Sequence, residues 1–290
     1  MTTIDINALA LVLAQAAEAE IRPRFRALAK GDIRTKADAN DLVTAADEAA
    51  ERFISREVKA QFPGVLFVGE ESVAADPALL PKLADAELAI VVDPIDGTFN
   101  FAAGVPLFGV MAAIVSGGET VGGIIYDPMG DDFVMAEKGG GAWQTGDHRP
   151  AVKLKTRGAA PLEAMTGMAS TSFLDRDRRA RILANLAQVA FVSNYRCAAH
   201  EYRTFAGGHL HYLMYNKLMP WDHLAGTLIA QEAGAYAARH DPASGESRQY
   251  PWGNDNATPE RANLGQDPLD PAPVGAYPAG ASPLGIRQLI

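Results

Sequence analysis

Five acidic residues stand where apolar runs end or helices begin: Asp47, Glu70, Asp93, Asp96 and Asp222. Two of them share the stretch Asp93-Pro94-Ile95-Asp96-Gly97-Thr98, which follows the apolar run from Leu88 to Val92. That run reads as a buried strand. Pro94 removes a backbone donor and fixes φ, so a turn directly after Asp93 is expected. Gly97 permits a close backbone approach, and Thr98 suits the N-cap of a following helix. Two carboxylates three residues apart on a rigid turn offer oxygen ligands to a hard divalent cation, and the helix start behind them offers N–H groups to phosphate. Taken alone, the stretch also fits a capped strand-to-helix turn with solvated acids, because short motifs recur by chance.

The elements that must position these acids follow from periodicity. Residues 5–30 place Ile6, Leu9, Leu13, Ala16, Ala17, Ile21, Phe25 and Leu28 at helical spacing, with a bend at Pro23. Residues 31–43 are polar and read as a surface loop. A second helix runs from Thr44 to about Gln61, and Thr44 with Asp47 fits a capping box, a structural use for that acid. Val65 to Val68 reads as a short strand ending at Glu70-Glu71, which are either a solvated pair or a cation-bridged one. After Phe101 the texture is β: 108–115 and 120–126 form a hairpin, and 133–136 adds a strand. The Gly139-Gly-Gly141 run lacks a following Lys-Ser/Thr and reads as a turn rather than a nucleotide loop.

A second subdomain is expected from about residue 148 to 252, after an N-terminal α+β subdomain over 1–147. Strands are predicted at 162–169, 189–193, 209–215 and 235–238, with helices at 175–187, 202–206 and 224–233. Asp222 can serve as the N-cap of the last helix. Residues 253–290 are rich in Pro and Gly without sustained apolar periodicity and read as an irregular tail.

Composition narrows the class. The 290 residues are 48% hydrophobic and 21% charged, as in a soluble enzyme that needs no disulfide or metal merely to fold. The single cysteine, Cys197, fits a reducing cytoplasm, and neither a signal-peptide pattern nor a run of membrane-spanning length is expected. A net charge of −9 disfavours direct nucleic-acid binding, and an acidic chain that handles an anion must reverse its local field with bound cations. The six histidines show no zinc spacing. Carboxylates gathered at one sheet edge repel or take up protons unless metal compensates, and Mg²⁺ suits a site of acids, a carbonyl and substrate phosphate.

Four motifs in order carry a family resemblance over about residues 5–252. They are Asp41-Leu-Val-Thr-Ala-Ala-Asp47, Gly69-Glu70-Glu71-Ser72, Asp93-Pro-Ile-Asp-Gly-Thr-Phe-Asn-Phe101 and Trp221-Asp222-His-Leu-Ala-Gly226. The chain resembles the inositol monophosphatase family of Mg²⁺-dependent, lithium-sensitive phosphomonoesterases. The resemblance implies a five-layer αβαβα sandwich, a homodimer, and hydrolysis of a small phosphorylated metabolite by water activated with two to three Mg²⁺ ions. It assigns one ion to Glu70, Asp93 and the carbonyl of Ile95, a second to Asp93, Asp96 and Asp222, and a third near Glu70. Asp47, Thr98 and Glu70 become catalytic, with Thr98 and Asp47 orienting and deprotonating the water. Gly97, Thr98 and Lys36 become phosphate-binding, and Asp96, Arg196, Ala198, Tyr215 and Asp222 substrate-binding.

Departures from the family pattern concern the substrate. Tyr215 stands where inositol phosphatases have a Glu that binds sugar hydroxyls, and His211 replaces an Asp nearby. The family's Gly-x-Ala-Ala reads Arg196-Cys-Ala-Ala199 here. A carboxylate accepts two hydroxyl protons where a phenol does so poorly, and Arg196 suits a substrate with a second anion. Histidinol phosphate, fructose bisphosphate and 3′-phosphoadenosine 5′-phosphate are the alternative esters. A regulatory, protein-binding member of the family is the non-enzymatic alternative. The apolar strand and helix with which the family normally ends are not visible in the tail.

Overall fold

In the computed structural model, residues 4–29, 31–36, 42–146, 149–240, 247–249 and 274–278 are described. The N-terminal amphipathic segment forms α1 (Ile6–Ala16), whose N-cap Asp5 accepts from the N–H groups of Asn7 and Ala8. A π-helical turn, Ala17–Ile21, and a 3-10 turn, Arg22–Arg24, then end the helical segment, so Pro23 stops it where only a bend within 5–30 was expected. The expected surface loop instead contains a small hairpin, β1 (Ile33–Thr35) against β2 (Leu42–Thr44). Two three-residue strands bury too few side chains to leave an apolar pattern. Thr44 caps α2 (Ala45–Gln61) through the predicted capping box.

Next come β3 (Leu66–Gly69), α3 (Glu70–Ala75), the single turn α4 (Leu79–Lys82), β4 (Leu88–Asp96) and α5 (Thr98–Ala102). The strands β5 (Gly109–Ser116), β6 (Glu119–Asp127), β7 (Asp132–Glu137), β8 (Gly141–Gly146) and β9 (Arg149–Lys153) follow as an antiparallel meander. Together β3 to β9 make one seven-stranded sheet, which continues to Lys153, past the division expected at 147. β10 is shorter than predicted (Thr166–Ala169), because residues 162–164 form a 3-10 turn. It is followed by α6 (Arg176–Leu186), β11 (Phe191–Ser193), α7 (Ala198–Ala206), β12 (Tyr212–Tyr215), α8 (Pro220–Glu232), β13 (Ala235–His240), β14 (Ser247–Gln249) and β15 (Val274–Pro278).

The last strand corrects the reading of the tail. Val274–Pro278 lies antiparallel between β12 and β13 in a six-stranded sheet ordered β11-β10-β12-β15-β13-β14. A five-residue strand hydrogen-bonded on both edges is specified by its neighbours' backbone more than by its own pattern, so Val-Gly-Ala-Tyr-Pro left little signal. The rest of 253–290 lies outside the described residues.

Three apolar clusters show how the layers stack. Leu9, Leu13 and Ile54 from α1 and α2 pack on Ile90, Val92 and Ile124 of the first sheet. The sheet's other face, with Val91, Met111 and Ile125, meets Tyr202 and Phe205 of α7 and Leu224 and Ile229 of α8, which in turn cover Met168 and Leu213 of the second sheet. Ile182 and Leu186 of α6 close the far side on Tyr212 and Met214. The result is the layered αβαβα sandwich.

The middle layer depends on small residues. A Cβ on Gly123 of β6 would lie 2.8 Å from the Ala225 carbonyl oxygen, and one on Gly226 would lie 2.1 Å from the ring of Tyr202, which is fully buried. Helix α8 therefore approaches both sheet and helix as closely as glycine allows. Substitution of Gly226 by Ala must displace Tyr202 or the helix, a cost of about 1–3 kcal/mol. For a chain of this size that predicts a melting temperature lower by about 3–10 °C. A melting curve followed by circular dichroism checks it, and an unchanged midpoint contradicts the packing described.

Candidate active site

The acids converge at the C-terminal end of β4. The strand does not stop at Asp93: it continues to Asp96, with its register against β5 broken between those two residues. Pro94 falls inside this bulge, where its missing N–H breaks no ladder bond. The Ile95 N–H donates to Asp93 Oδ1 at 3.0 Å. The turn comes at Gly97, whose φ of +88° is left-handed and whose Cα faces Leu107 and Cys197 too closely for a side chain. Gly97, not Thr98, is the N-cap of α5. Thr98 is thereby released from capping, and its hydroxyl lies 3.1 Å from Asp47 Oδ1 and 3.0 Å from the Ile95 carbonyl oxygen. One proton serves one of these acceptors at a time.

Asp222 arrives from α8, which starts at Pro220, four residues earlier than the expected Leu224, with Met219 as its N-cap. Asp222 is thus in the first turn and caps nothing. Asp93, Asp96 and Asp222 each place an oxygen within 4.8 Å of the others. Burial pushes the Asp93 carboxyl well up, and Glu70, Asp96 and Asp222 push it further. Burial, then Asp222, raises Asp96 to about 6. Glu70 rises to about 8 through burial, with Lys36 opposing and Asp222 and Glu71 adding to the rise. Lys36, expected on phosphate, lies here with its Nζ 2.8 Å from Glu70 and 2.6 Å from Glu71.

Asp47 keeps both roles that its sequence offered. Its Oδ2 accepts the Thr44 N–H at 2.9 Å in the capping box, while Oδ1 faces Thr98. Burial raises its pKa to about 6 against the lowering effect of the Thr44 bonds.

Three residues that shape the site were not singled out from sequence for that role. Glu51 accepts the N–H groups of Glu71 and Ser72 at 2.7 and 2.8 Å, and the Ser72 hydroxyl, so it clamps the start of α3 and fixes Glu70. It sits against Gly69, where a Cβ would meet its carboxylate. The available signal was an acid interrupting the apolar face of Ala46, Ala50 and Ile54 one turn beyond Asp47. Cys197 lies with Sγ 3.0 Å from Asp96 Oδ2, and the Ala199 N–H donates to the same oxygen at 2.6 Å. Burial raises the Cys197 thiol, which therefore acts as a donor. Glu201, buried and raised to about 7, accepts the Tyr195 N–H at 2.7 Å and lies beside the Tyr215 hydroxyl.

A cavity of about 370 Å³ opens over this floor. Glu70, Asp93, Ile95, Asp96, Gly97, Thr98 and Asp222 line it, and so do Arg196, Ala198 and Tyr215. Lys36 and Asp47 stand behind that lining, joined to it through Glu70 and Thr98. His211 is spent on structure, its Nδ1 accepting the Thr166 N–H at 2.9 Å. The donors that converge are all oxygens, with Asp93 and Asp96 buried and Asp222 half-buried, and Lys36 already sits on Glu70 as a cation. That set fits a hard divalent ion such as Mg²⁺.

Known proteins resemble this chain in sequence and fold. Residues 4–263 match the model of the inositol monophosphatase family. An inositol-1-monophosphatase of Mesorhizobium japonicum is 33% identical over 205 residues, 69% of this chain and 73% of that protein. The Nus factor SuhB of Vibrio cholerae is 32% identical over 211 residues, 69% and 73% of the two chains. The crystal structure of the extragenic suppressor protein suhB from Bartonella henselae superposes with a TM-score of 0.73 at 25% identity, covering 98% of this chain and 96% of that one. Among the described residues no helix is long and apolar enough to cross a membrane. With the ordered acids, the layered fold and these matches in agreement, the chain belongs to the inositol monophosphatase family.

Proposed function

We propose that this chain hydrolyses a small phosphate monoester with Mg²⁺ as cofactor, by direct attack of water on phosphorus and without a covalent enzyme intermediate. The observation that carries the reading is the meeting of Asp93, Asp96 and Asp222 beside Glu70, next to a Thr98 hydroxyl already in contact with Asp47. Glu70, Asp93 and the Ile95 carbonyl would hold one ion, Asp93, Asp96 and Asp222 a second, and Glu70 would help hold a third. Ions held there would offset the carboxylate charge and supply Lewis-acid polarisation of the phosphoryl group and of water.

The remaining work falls to the chain. The N–H groups of Gly97 and Thr98 hold phosphoryl oxygens at the start of α5. The Thr98 hydroxyl accepts a hydrogen bond from the attacking water and donates its own to Asp47. Asp47, with its pKa near 6, is ionised at neutral pH yet basic enough to take the proton. Lys36, relieved of Glu70 when cations occupy the site, adds positive charge beside the phosphate.

The Vibrio relative named as a Nus factor favours a second reading, in which the chain acts by binding a protein partner. The Asp93→Asn variant separates the two. It is expected to lose phosphate release by about 10²–10³-fold or more while remaining folded, the scale of removing a preorganised electrostatic contact. A purified protein that releases no phosphate from a panel of monoesters with Mg²⁺ sinks the enzymatic reading. Asp93→Asn supporting the protein's cellular role in full favours the binding one.

The buried carboxyls also set a pH dependence. Their folded-state pKa values lie above the ordinary value of about 4, reaching about 6 at Asp47 and Asp96 and about 8 at Glu70. Between pH 4 and 8, roughly, the folded metal-free protein holds more protons than the unfolded chain, so its stability falls as pH rises. Mg²⁺ replaces those protons. Its addition should therefore raise the melting temperature more at pH 8 than at pH 5. Equal shifts at both pH values, or none, contradict the assignment.

A further inference from the structure

Helix α7 begins without a cap from its own side chains. Its N-cap position holds Cys197, which makes no hydrogen bond to the N–H groups of the first turn. Ser, Thr, Asp and Asn are the residues that normally do so. The acceptor comes instead from another layer: Asp96 Oδ2, on β4, takes the Ala199 N–H at 2.6 Å. Ala199 is fully buried, so that N–H has no water to turn to. The Cys197 thiol lies 3.0 Å from the same oxygen. A second acceptor, the Asp96 carbonyl oxygen, is more distant at 3.7 Å. Close packing keeps the thiol in place: Cys197 is buried, and a Cβ on Gly97 would meet its Sγ at 3.2 Å.

Oδ2 of Asp96 is therefore committed to two donors, and Oδ1 is the oxygen left for a cation. Asp93 is restricted in the same way, because its Oδ1 accepts the Ile95 N–H. Ca²⁺ and Mg²⁺ respond differently to such a restriction. Ca²⁺ gathers about six to eight oxygens and often takes both from one carboxylate, whereas Mg²⁺ holds a compact octahedral set and keeps several waters. For a cation to take both oxygens of Asp96, the thiol and the Ala199 N–H must give up their acceptor. Burial makes that loss expensive, since nothing replaces the bond to the N–H.

We propose that Cys197 and the first turn of α7 confine Asp96 to one free oxygen, and that this confinement sets the preference of the site for Mg²⁺ over Ca²⁺. Cys197 is a positioning residue in this sense, acting through Asp96. The inference rests on the cation site of the phosphatase reading above. Of the two donors, the thiol is the one that a substitution can remove.

Calorimetric titration of the metal-free protein with Mg²⁺ and with Ca²⁺ tests it through the ratio Kd(Ca²⁺)/Kd(Mg²⁺). Cys197→Ala removes the donor and should lower that ratio by about three- to tenfold, the scale of one hydrogen bond. Cys197→Ser keeps a donor in the same place and should hold the ratio within about twofold of wild type. A merely structural loosening weakens both ions together and leaves the ratio unmoved. Infrared spectroscopy reads the unaltered chain directly, because its single cysteine gives a single S–H stretching band. That band should be that of a hydrogen-bonded thiol both before and after Mg²⁺ is added. Where Cys197→Ala does not fold, the band and the Cys197→Ser ratio decide. An unmoved ratio in Cys197→Ala, a Cys197→Ser ratio lowered threefold or more, or a band that is absent, lost with Mg²⁺ or typical of a free thiol overturns this inference and leaves the phosphatase reading standing. Titrations in which neither ion binds overturn both.

Discussion

Like charges forced together out of water are the constraint from which the rest of this molecule follows. Asp93 and Asp96 of β4, Glu70 and Asp222 come from three places in the chain, and their proximity raises the cost of ionising Glu70, Asp93 and Asp96. Left to themselves such groups would spread into solvent. They stay together because β4 is buried on both faces and α8 is wedged between two sheets. The stability of two hydrophobic layers is thus partly spent on holding charges where only a cation or a proton relieves them.

Three of the acids are also held by donors of their own. Asp96 receives Cys197 and the Ala199 N–H, Asp93 receives the Ile95 N–H, and Asp47 receives Thr44. Glu51 works in the other direction, as an acceptor that fixes the helix carrying Glu70. Oriented carboxylates cost little reorganisation when a cation arrives, which is the property that a metal-dependent site needs. Lys36, paired with Glu70 and Glu71, keeps the cluster from being wholly uncompensated.

How much of this could be read from residues alone depended on whether the signal was local. Asp93 to Phe101 was legible because a strand end, a proline and a glycine constrain one another within a few positions. The same locality misled over the turn itself. Pro94 sits in a bulge that only the pairing with β5 reveals, and that bulge moves the cap from Thr98 to Gly97. Asp222 looked like a cap because the start of α8 was placed four residues late. Glu51 and Cys197 act across 20 and 101 residues of sequence, and spacing carries no trace of such contacts. Glu201 reaches back only six residues, to the Tyr195 N–H, but through a loop that has no periodicity. Leu88–Val92 and the helical faces of α1 and α2 were plain, since periodicity reports burial directly. The strand at 274–278 was hidden because its place is set by partners on either side.

That strand sets an order of events in the making of the molecule. During synthesis the first sheet can close once Lys153 has emerged, and α1, α2 and the Asp93 turn can settle upon it. The second sheet has no such liberty. β12 and β13 do not pair with each other; Val274–Pro278 lies between them. Until nearly the whole chain has left the ribosome, both strands present open edges of the kind that invite pairing with other chains. The half that bears Asp222 is therefore the last to be completed, and a ribosome that stalls before residue 274 yields a protein with its Asp93 turn formed and its partner half unclosed.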